Sequence, residues 1–428
     1  MKLSVCPRAL ISRILGLALY LWCLGALASP DGQAQIIGAD GTVVPGSNAI
    51  ITDDLGEIRG TNLFHRFLEF NLASGNQATF LGPDMITNII SLVTGDNPSN
   101  IDGRINSQIP GANFFLLNPN GVIFGNNASL SVNGSFHVST ADSLRFDDDT
   151  VFNRDTVFTD DSAGDPGDPF AKPPVAFGFM GNRPSPIVID GGNLSVPRGT
   201  LSVVGGDLTI MGGLLSASDG INLISVGTAS RGEVPIDTGT RPLDLTDDFE
   251  TFGEIELLDG TSLSTSNNGG SRIVIRGGQL LVDRSLMTSI NAGNIDSLQA
   301  GIDIAVTGSL RLTNGSVVVS AARRAGSGGS ISVTAHDIFI EHGSSIATFG
   351  LGTGSAGDVR VHADASVTVQ ASEGNELSTG IFSYAGFDSE AGVIEVRADR
   401  FVMNGGVIGT SPNVEPYNVP RNLDIELR

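Results

Sequence analysis

The feature that most constrains this chain is a pattern that returns through its carboxy-terminal half. From Gly329, the residues Ile331, Val333 and Ala335 alternate with Ser332 and Thr334, and Ile338, Ile340, Gly343 and Ile346 follow. From Gly357, Val359, Val361 and Ala363 alternate with Arg360 and His362, ahead of Val367 and Val369. From Gly392, Ile394, Val396 and Ala398 alternate with Glu395 and Arg397, ahead of Phe401 and Met403. Weaker copies start near Gly270 and Gly301. Alternation of period two marks strands with one buried face. The units recur every 28 to 35 residues, and Gly, Asn, Asp and Ser between the strands accept the backbone angles of tight corners. One unit cannot bury its apolar face alone, but stacked units can. The pattern therefore predicts an all-β chain, a right-handed parallel β-helix with coils over 185–410, and Val333, Val361 and Val396 in one apolar column. A hairpin sandwich is the competing all-β arrangement and would use Asn133-Gly134 and Asn314-Gly315 as turns. Recurrence of the same strand set favours the coil.

Composition agrees with this. Gly supplies 56 of 428 residues, nearly twice the ~7% average. Lys2, Arg8 and Arg13 precede an apolar run from Ile14 to Leu27, and Ala26-Leu27-Ala28 is a small-x-small cleavage signal, with Ala34 as the latest alternative. The run is short for a membrane span, which needs ~20 apolar residues, so 1–28 reads as a signal peptide. Both cysteines, Cys6 and Cys23, fall inside it. That leaves no disulfide, thiol catalysis or cysteine-built zinc site for the mature chain. The net charge is -22, and removal of the three basic leader residues makes it -25. Such a charge argues against nucleic acid and anionic membrane as partners.

The amino-terminal third carries an ordered set of blocks. Gly60-Thr61-Asn62-Leu63-Phe64-His65-Arg66-Phe67-Leu68-Glu69-Phe70-Asn71 opens it; Asn88–Gly95 and Asn97-Pro98-Ser99-Asn100-Ile101-Asp102-Gly103 follow. Next come Phe115-Leu116-Leu117-Asn118-Pro119-Asn120-Gly121-Val122-Ile123-Phe124-Gly125, then Ala128–Val132 and Phe136–Asp142. Each block alone is weakly specific. In this order, behind a signal peptide, they resemble the filamentous-haemagglutinin type of two-partner secretion domain, over roughly 35–150. The downstream repeats resemble the passenger region of cyanobacterial members. The resemblance implies an exported protein, secreted or held at the cell surface. Its partner would be an outer-membrane β-barrel transporter with periplasmic docking domains, and the passenger would be an adhesive or structural scaffold toward a host, matrix or cell-surface ligand. It also implies that Phe64, Phe67 and Phe70 lie in β structure, although spacing by three alone suggests a short helix.

The candidate recognition or turn residues are Asn118, Pro119, Asn120, Gly121, Asn97, Pro98 and Asn71. Asn118–Gly121 sits between two apolar strands. Pro119 fixes φ, the asparagines can bond local backbone, and Gly121 can take a positive φ. The motif reads first as a register-keeping turn, with an added transporter contact as the sharper alternative.

Residues 147–174 carry eight aspartates and four prolines with little periodicity and read as a solvated loop leaving the helix, with 151–184 as an acidic, Pro-rich segment. Residues 231–254 read as a second such excursion, and 411–428 as an irregular tail. The aspartates match no defined calcium-loop spacing, so no metal or cofactor is expected. A β-helix enzyme acting on polysaccharide is the functional alternative. After cleavage, however, the chain keeps no Trp, two Tyr and one Lys. Its histidines, His65, His137, His336, His342 and His362, share no metal-like spacing. His336 and His362 read as outward-facing neighbours of the coil. The expectation is a protein that is not an enzyme.

Overall fold

The computed structural model describes residues 35–427 except 159–166, 182, 228–230, 239–242, 298–299, 375–377, 387 and 412–422. The leader reading and the residues Asp160, Asp161, Asp165, Pro166, Pro242, Pro412, Pro416 and Pro420 lie outside the described residues.

The chain is a right-handed parallel β-helix with three faces. In one coil Asn88–Val93, Ser99–Ile101 and Arg104–Ser107 lie on the first, second and third faces. In the next coil Asn113–Leu117, Val122–Phe124 and Ser129–Ser131 stack on them in parallel register. The third face runs as twelve parallel strands in chain order, from Asn48–Ile51 to Val407–Ser411. Among the described residues the hairpin alternative finds no support: Asn314 and Gly315 turn the chain between faces with positive φ and join no antiparallel strands.

Register explains the core. On the first face one inward column reads His65, Ser91, Leu116, Val138, Val203, Leu223, Ile275, Ile304, Val333, Val361 and Val396. Every member is buried. The predicted contact of Val333, Val361 and Val396 is present. The corner between the second and third faces carries a matching polar column, Thr261, Ser285, Ser316, Ser344 and Thr379, all buried. Their hydroxyls bond backbone of neighbouring coils: Ser285 N donates to Ser316 Oγ at 3.2 Å, Ser316 N to Ser344 Oγ at 3.1 Å, and Gly343 N to Thr379 Oγ1 at 2.9 Å. Buried backbone at a corner needs such partners.

The amino-terminal end is capped. Gln35–Gly38 runs antiparallel to Val43–Val44 and to Asn62–Asn71, and places Ile36 and Val44 over the open core. A register shift falls opposite Leu68, between the pairs Ile37–Glu69 and Gly38–Phe67. It moves Phe67 and Phe70 to the inside while Phe64 faces out, so the three phenylalanines are β-structured but do not share one face.

Two expectations are corrected. The excursions are not solvated loops. Ser143–Phe146, Val151–Asn153, Pro174–Met180 and Arg231–Pro235 form a four-stranded antiparallel sheet, and Pro169–Ala171 is a 3-10 turn capped by Asp168. Pro174 and Pro235 sit at strand ends, where the missing donor is tolerated. Phe146, Phe152 and Phe177 supply the apolar face that the aspartate count obscured. The tail is not wholly irregular either: Leu423–Leu427 pairs in parallel with Ile394–Ala398. Its alternation of Leu, Asp, Ile, Glu and Leu is the strand signal.

Candidate functional site

Six of the seven residues singled out lie on one corner, between the first and second faces of consecutive coils, and Asn71 joins them from the coil before. Asn118 is fully buried. Its Nδ2 donates to Asn97 O at 3.1 Å and to Ser99 Oγ at 3.0 Å, and its Oδ1 accepts from Asn120 N at 3.0 Å. Gly121 N donates to Asn118 O at 3.0 Å and closes the turn. Asn120 Nδ2 reaches down one coil to Gly95 O at 2.6 Å. Asn97 Nδ2 donates to Glu69 Oε1 at 2.6 Å, Asn71 Nδ2 to Glu69 Oε2 at 3.1 Å, and Asn71 Oδ1 accepts from Asn100 N at 2.8 Å. Asn97 is exposed, and Pro98, Pro119 and Asn120 are half-buried.

This corner is also where the chain leaves and returns. The first excursion departs after Ser139 and comes back at Pro186. On return, Ser185 Oγ donates to Pro119 O at 2.7 Å and Val122 N to Pro186 O at 3.4 Å. Gly121 has φ 112, and a Cβ there would lie 3.2 Å from Pro186 O. The turn is therefore the seat on which the returning strand docks. Asn118→Ala removes three hydrogen bonds, to Asn97 O, Ser99 Oγ and Asn120 N, and strands the buried Ser99 hydroxyl among them. It should cost about 1–3 kcal/mol, the usual loss for one stranded buried polar group. Gly121→Val combines a φ that L side chains rarely adopt with a tight backbone approach and should cost at least as much as one such group. Urea denaturation of each variant checks both.

Beside the corner, the antiparallel sheet covers the outward side of the first face. Phe64, Ile90, Phe115 and His137 form one outward column, and Leu92 and Leu117 belong to the next. Phe64 lies within 6.0 Å of the rings of Phe146, Phe152, Phe158 and Phe170. Two arginines of the cap clasp this cluster. Arg59 pairs with Asp168 at 3.6 Å, both buried, and also with Glu57; its guanidinium sits 5.1 Å from the Phe158 ring. Arg66 donates to Thr156 O at 2.5 Å and stacks on Phe152 and Phe158. Asn62 Nδ2 holds the 3-10 turn through Phe170 O at 2.7 Å and Lys172 O at 2.6 Å. Gly60, at φ 58, lets the cap hairpin touch this turn: a Cβ would fall 2.5 Å from the Ala171 Cβ. A cavity of about 310 Å³ opens between cap and clasp, lined by Asp40, Asp54, Leu55, Glu57, Phe64 and Arg66 among others. The second excursion is held further along, where Arg276 Nε donates to Leu243 O at 2.6 Å. Arg276 and Arg272 share Asp303.

Sequence reasoning missed this flank, yet a signal was present. Asn88–Val93 and Asn113–Leu117 read NIISLV and NFFLL, apolar on both sides. A strand apolar on both sides must be covered on both.

His65 and His137 lie on opposite sides of the first face. His65 packs inside against Phe80, with ring centroids 5.5 Å apart, and burial pushes its pKa down to about 4, against weaker opposing effects of the Leu55 carbonyl and Asp53. His137 stacks on Phe115 at 4.6 Å under the flanking sheet, and burial pushes it down to about 3. Both are neutral when folded at pH 7. The unfolded chain protonates them near pH 6.5, so their stabilising effect is full above that pH and is lost as pH falls toward about 4 and 3. Each should remove up to ~1.4 kcal/mol per pH unit in that window. Thermal melts from pH 7 to pH 4 should show that fall, and His137→Phe should flatten it. Among the described residues no three His, Cys, Asp or Glu side chains are arranged to hold a metal ion, and no helix is long and apolar enough to cross a membrane.

Residues 26–272, more than half of the chain, match the family described as the TPS secretion domain. The chain belongs to this family. It is a two-partner secretion exoprotein, and the matched region takes in the cap, the corner and both excursions. Among solved structures, the HMW1 secretion domain from Haemophilus influenzae aligns at 16% identity over 87% of this chain and 98% of its own, with a TM-score of 0.46. The filamentous hemagglutinin secretion domain aligns at 15% identity over 77% of this chain and 95% of its own, with a TM-score of 0.31. No curated protein matches.

Proposed function

We propose that the capped amino-terminal coils are recognised by the periplasmic docking domains of an outer-membrane β-barrel transporter, and that the coils beyond them act outside the cell as an adhesive or structural scaffold. The observation that carries this reading is the cap with its flank. A β-helix end is closed by an antiparallel strand, and a folded sheet is clasped over the same coils. The first 28 residues serve as the signal peptide for the inner membrane. Asn118 and Gly121 are interior and hold the corner. Asn97, Pro98, Pro119 and Asn120 form its accessible rim and are the recognition candidates, with Asn71 bracing Asn97 through Glu69. The secretion domain ends after the second excursion, near residue 253, and not at 150, because both excursions complete one sheet.

Co-expression with a cognate transporter tests this. Deleting 35–150 should stop appearance in the medium while leaving passage through the inner membrane intact. Undiminished release of the deleted chain would overturn the proposal.

A further inference from the structure

The rim of the corner continues onto a surface that no turn motif marks. Leu68 is the extra residue of the register shift in Asn62–Asn71. Ile37 pairs with Glu69 and Gly38 with Phe67, so Leu68 has no partner on the cap strand. A bulge of this kind re-aims a side chain, and Leu68 is 38% exposed beside the buried Phe67. Its carbonyl abuts the next coil, where it leaves no room for a Cβ on Gly95. Gly95 O in turn accepts from Asn120 Nδ2. Leu68, Gly95 and Asn120 thus follow one another up three coils. The first excursion reaches the same place. Arg154 is exposed, has no ion pair among the described residues, and donates from Nη2 to Thr94 O at 3.2 Å, one residue before Gly95. Val157 is 79% exposed although both neighbours are fixed: Thr156 O accepts from Arg66, and Phe158 packs on Phe64 with ring centroids 5.0 Å apart. The rim amides meanwhile point inward, Asn97 to Glu69 and Asn120 to Gly95.

We infer that Leu68, Arg154 and Val157, with the exposed parts of Pro98 and Pro119, are the groups that the transporter's periplasmic docking domain meets, and that the rim asparagines hold this surface in place. The inference rests on the transporter reading and names the contact residues within it. Three features favour that occupant. All five residues lie inside the matched secretion domain. Leu68 and Val157 are held out by anchored backbone, so docking has little further to order. Arg154 has no carboxylate of its own in a chain of net charge -22, and a partner can supply one. The complementary surface is therefore apolar with a carboxylate at its margin.

Isothermal titration of the chain, without its first 28 residues, with the purified docking domains of the cognate transporter reads this contact. A small, transient interface gives an expected dissociation constant of about 1–100 µM. Leu68→Ser, Val157→Ser and Arg154→Glu should each raise it about tenfold. Arg154→Glu should also remove most of the weakening that wild type shows between about 50 and about 300 mM salt. Leu351→Ser, at an aliphatic residue 64% exposed in the distant coils, should leave the constant unchanged. Thermal melts confirm that the variants remain folded, and Leu68→Thr or Val157→Thr replaces a serine variant that does not. Wild-type binding that none of the three substitutions weakens, or that Leu351→Ser weakens equally, overturns the inference and leaves the transporter reading standing. Absence of wild-type binding overturns the inference as well, and release of the chain lacking 35–150 then decides the transporter reading separately.

Discussion

A chain cut after residue 150 should not fold to a stable domain, whereas one cut near residue 272 should. The shorter fragment keeps the cap, the corner and every block of the family signature. It loses Phe152, Phe158, Phe170 and Phe177, and with them the cover over Phe64, Ile90, Leu92, Phe115 and Leu117. Leaving five large apolar side chains uncovered forfeits about 10 kcal/mol at ~2 kcal/mol each. That is comparable to the whole stability of an ordinary domain, ~5–15 kcal/mol. The short fragment also loses Ser185, which seats on Pro119, and Leu201, Val203 and Val204, which pair above Phe136–Ser139. Circular dichroism with denaturant titration distinguishes the two fragments. A sharp, cooperative transition for the 150-residue cut would show that the excursions are accessory, and would return the domain limit to the end of the signature blocks.

How much of this was legible in the sequence depends on which side of a strand is considered. The inward pattern is local and was readable: Ile331, Val333 and Ala335 alternate with polar neighbours, and that alternation survives into an apolar column. The corner residues Asn118–Gly121 were readable as a turn because each supplies a local backbone need. Their second role was not. Ser185 lies 66 residues beyond Pro119, and no local pattern pairs them. The excursions defeated composition for the same reason. Asp147, Asp148 and Asp149 face water at a turn, while Phe146 and Phe152 on either side face Phe64, more than eighty residues earlier. The cluster is assembled by tertiary register, and the aspartates dominate the local window. Arg59 and Asp168 are harder still, since a buried ion pair leaves no periodic trace.

That pair gives the second large effect. Asp168→Ala should lower stability by about 3–5 kcal/mol, the usual result of removing one member of a buried ion pair. Two losses combine: Arg59 loses its buried carboxylate partner, and the 3-10 turn loses its cap, because Asp168 Oδ1 accepts from Phe170 N at 2.9 Å. Asp168→Asn separates them, since the amide oxygen retains the cap while the charge is gone, so it should cost less than the alanine. Arg59→Met alone should also be severe, for it strands a buried carboxylate. The double variant Arg59→Met with Asp168→Leu should be closer to wild type than either Arg59→Met or Asp168→Ala, because neither member of the buried pair is then charged in an apolar setting and Phe158 and Phe170 offer apolar neighbours. If the double variant instead loses as much as the two single losses added together, the two residues act independently, and the clasp between cap and flank rests on the aromatic cluster and Asn62 alone. Equilibrium urea unfolding of the four chains, with near-ultraviolet dichroism reporting the phenylalanine cluster, decides between these outcomes.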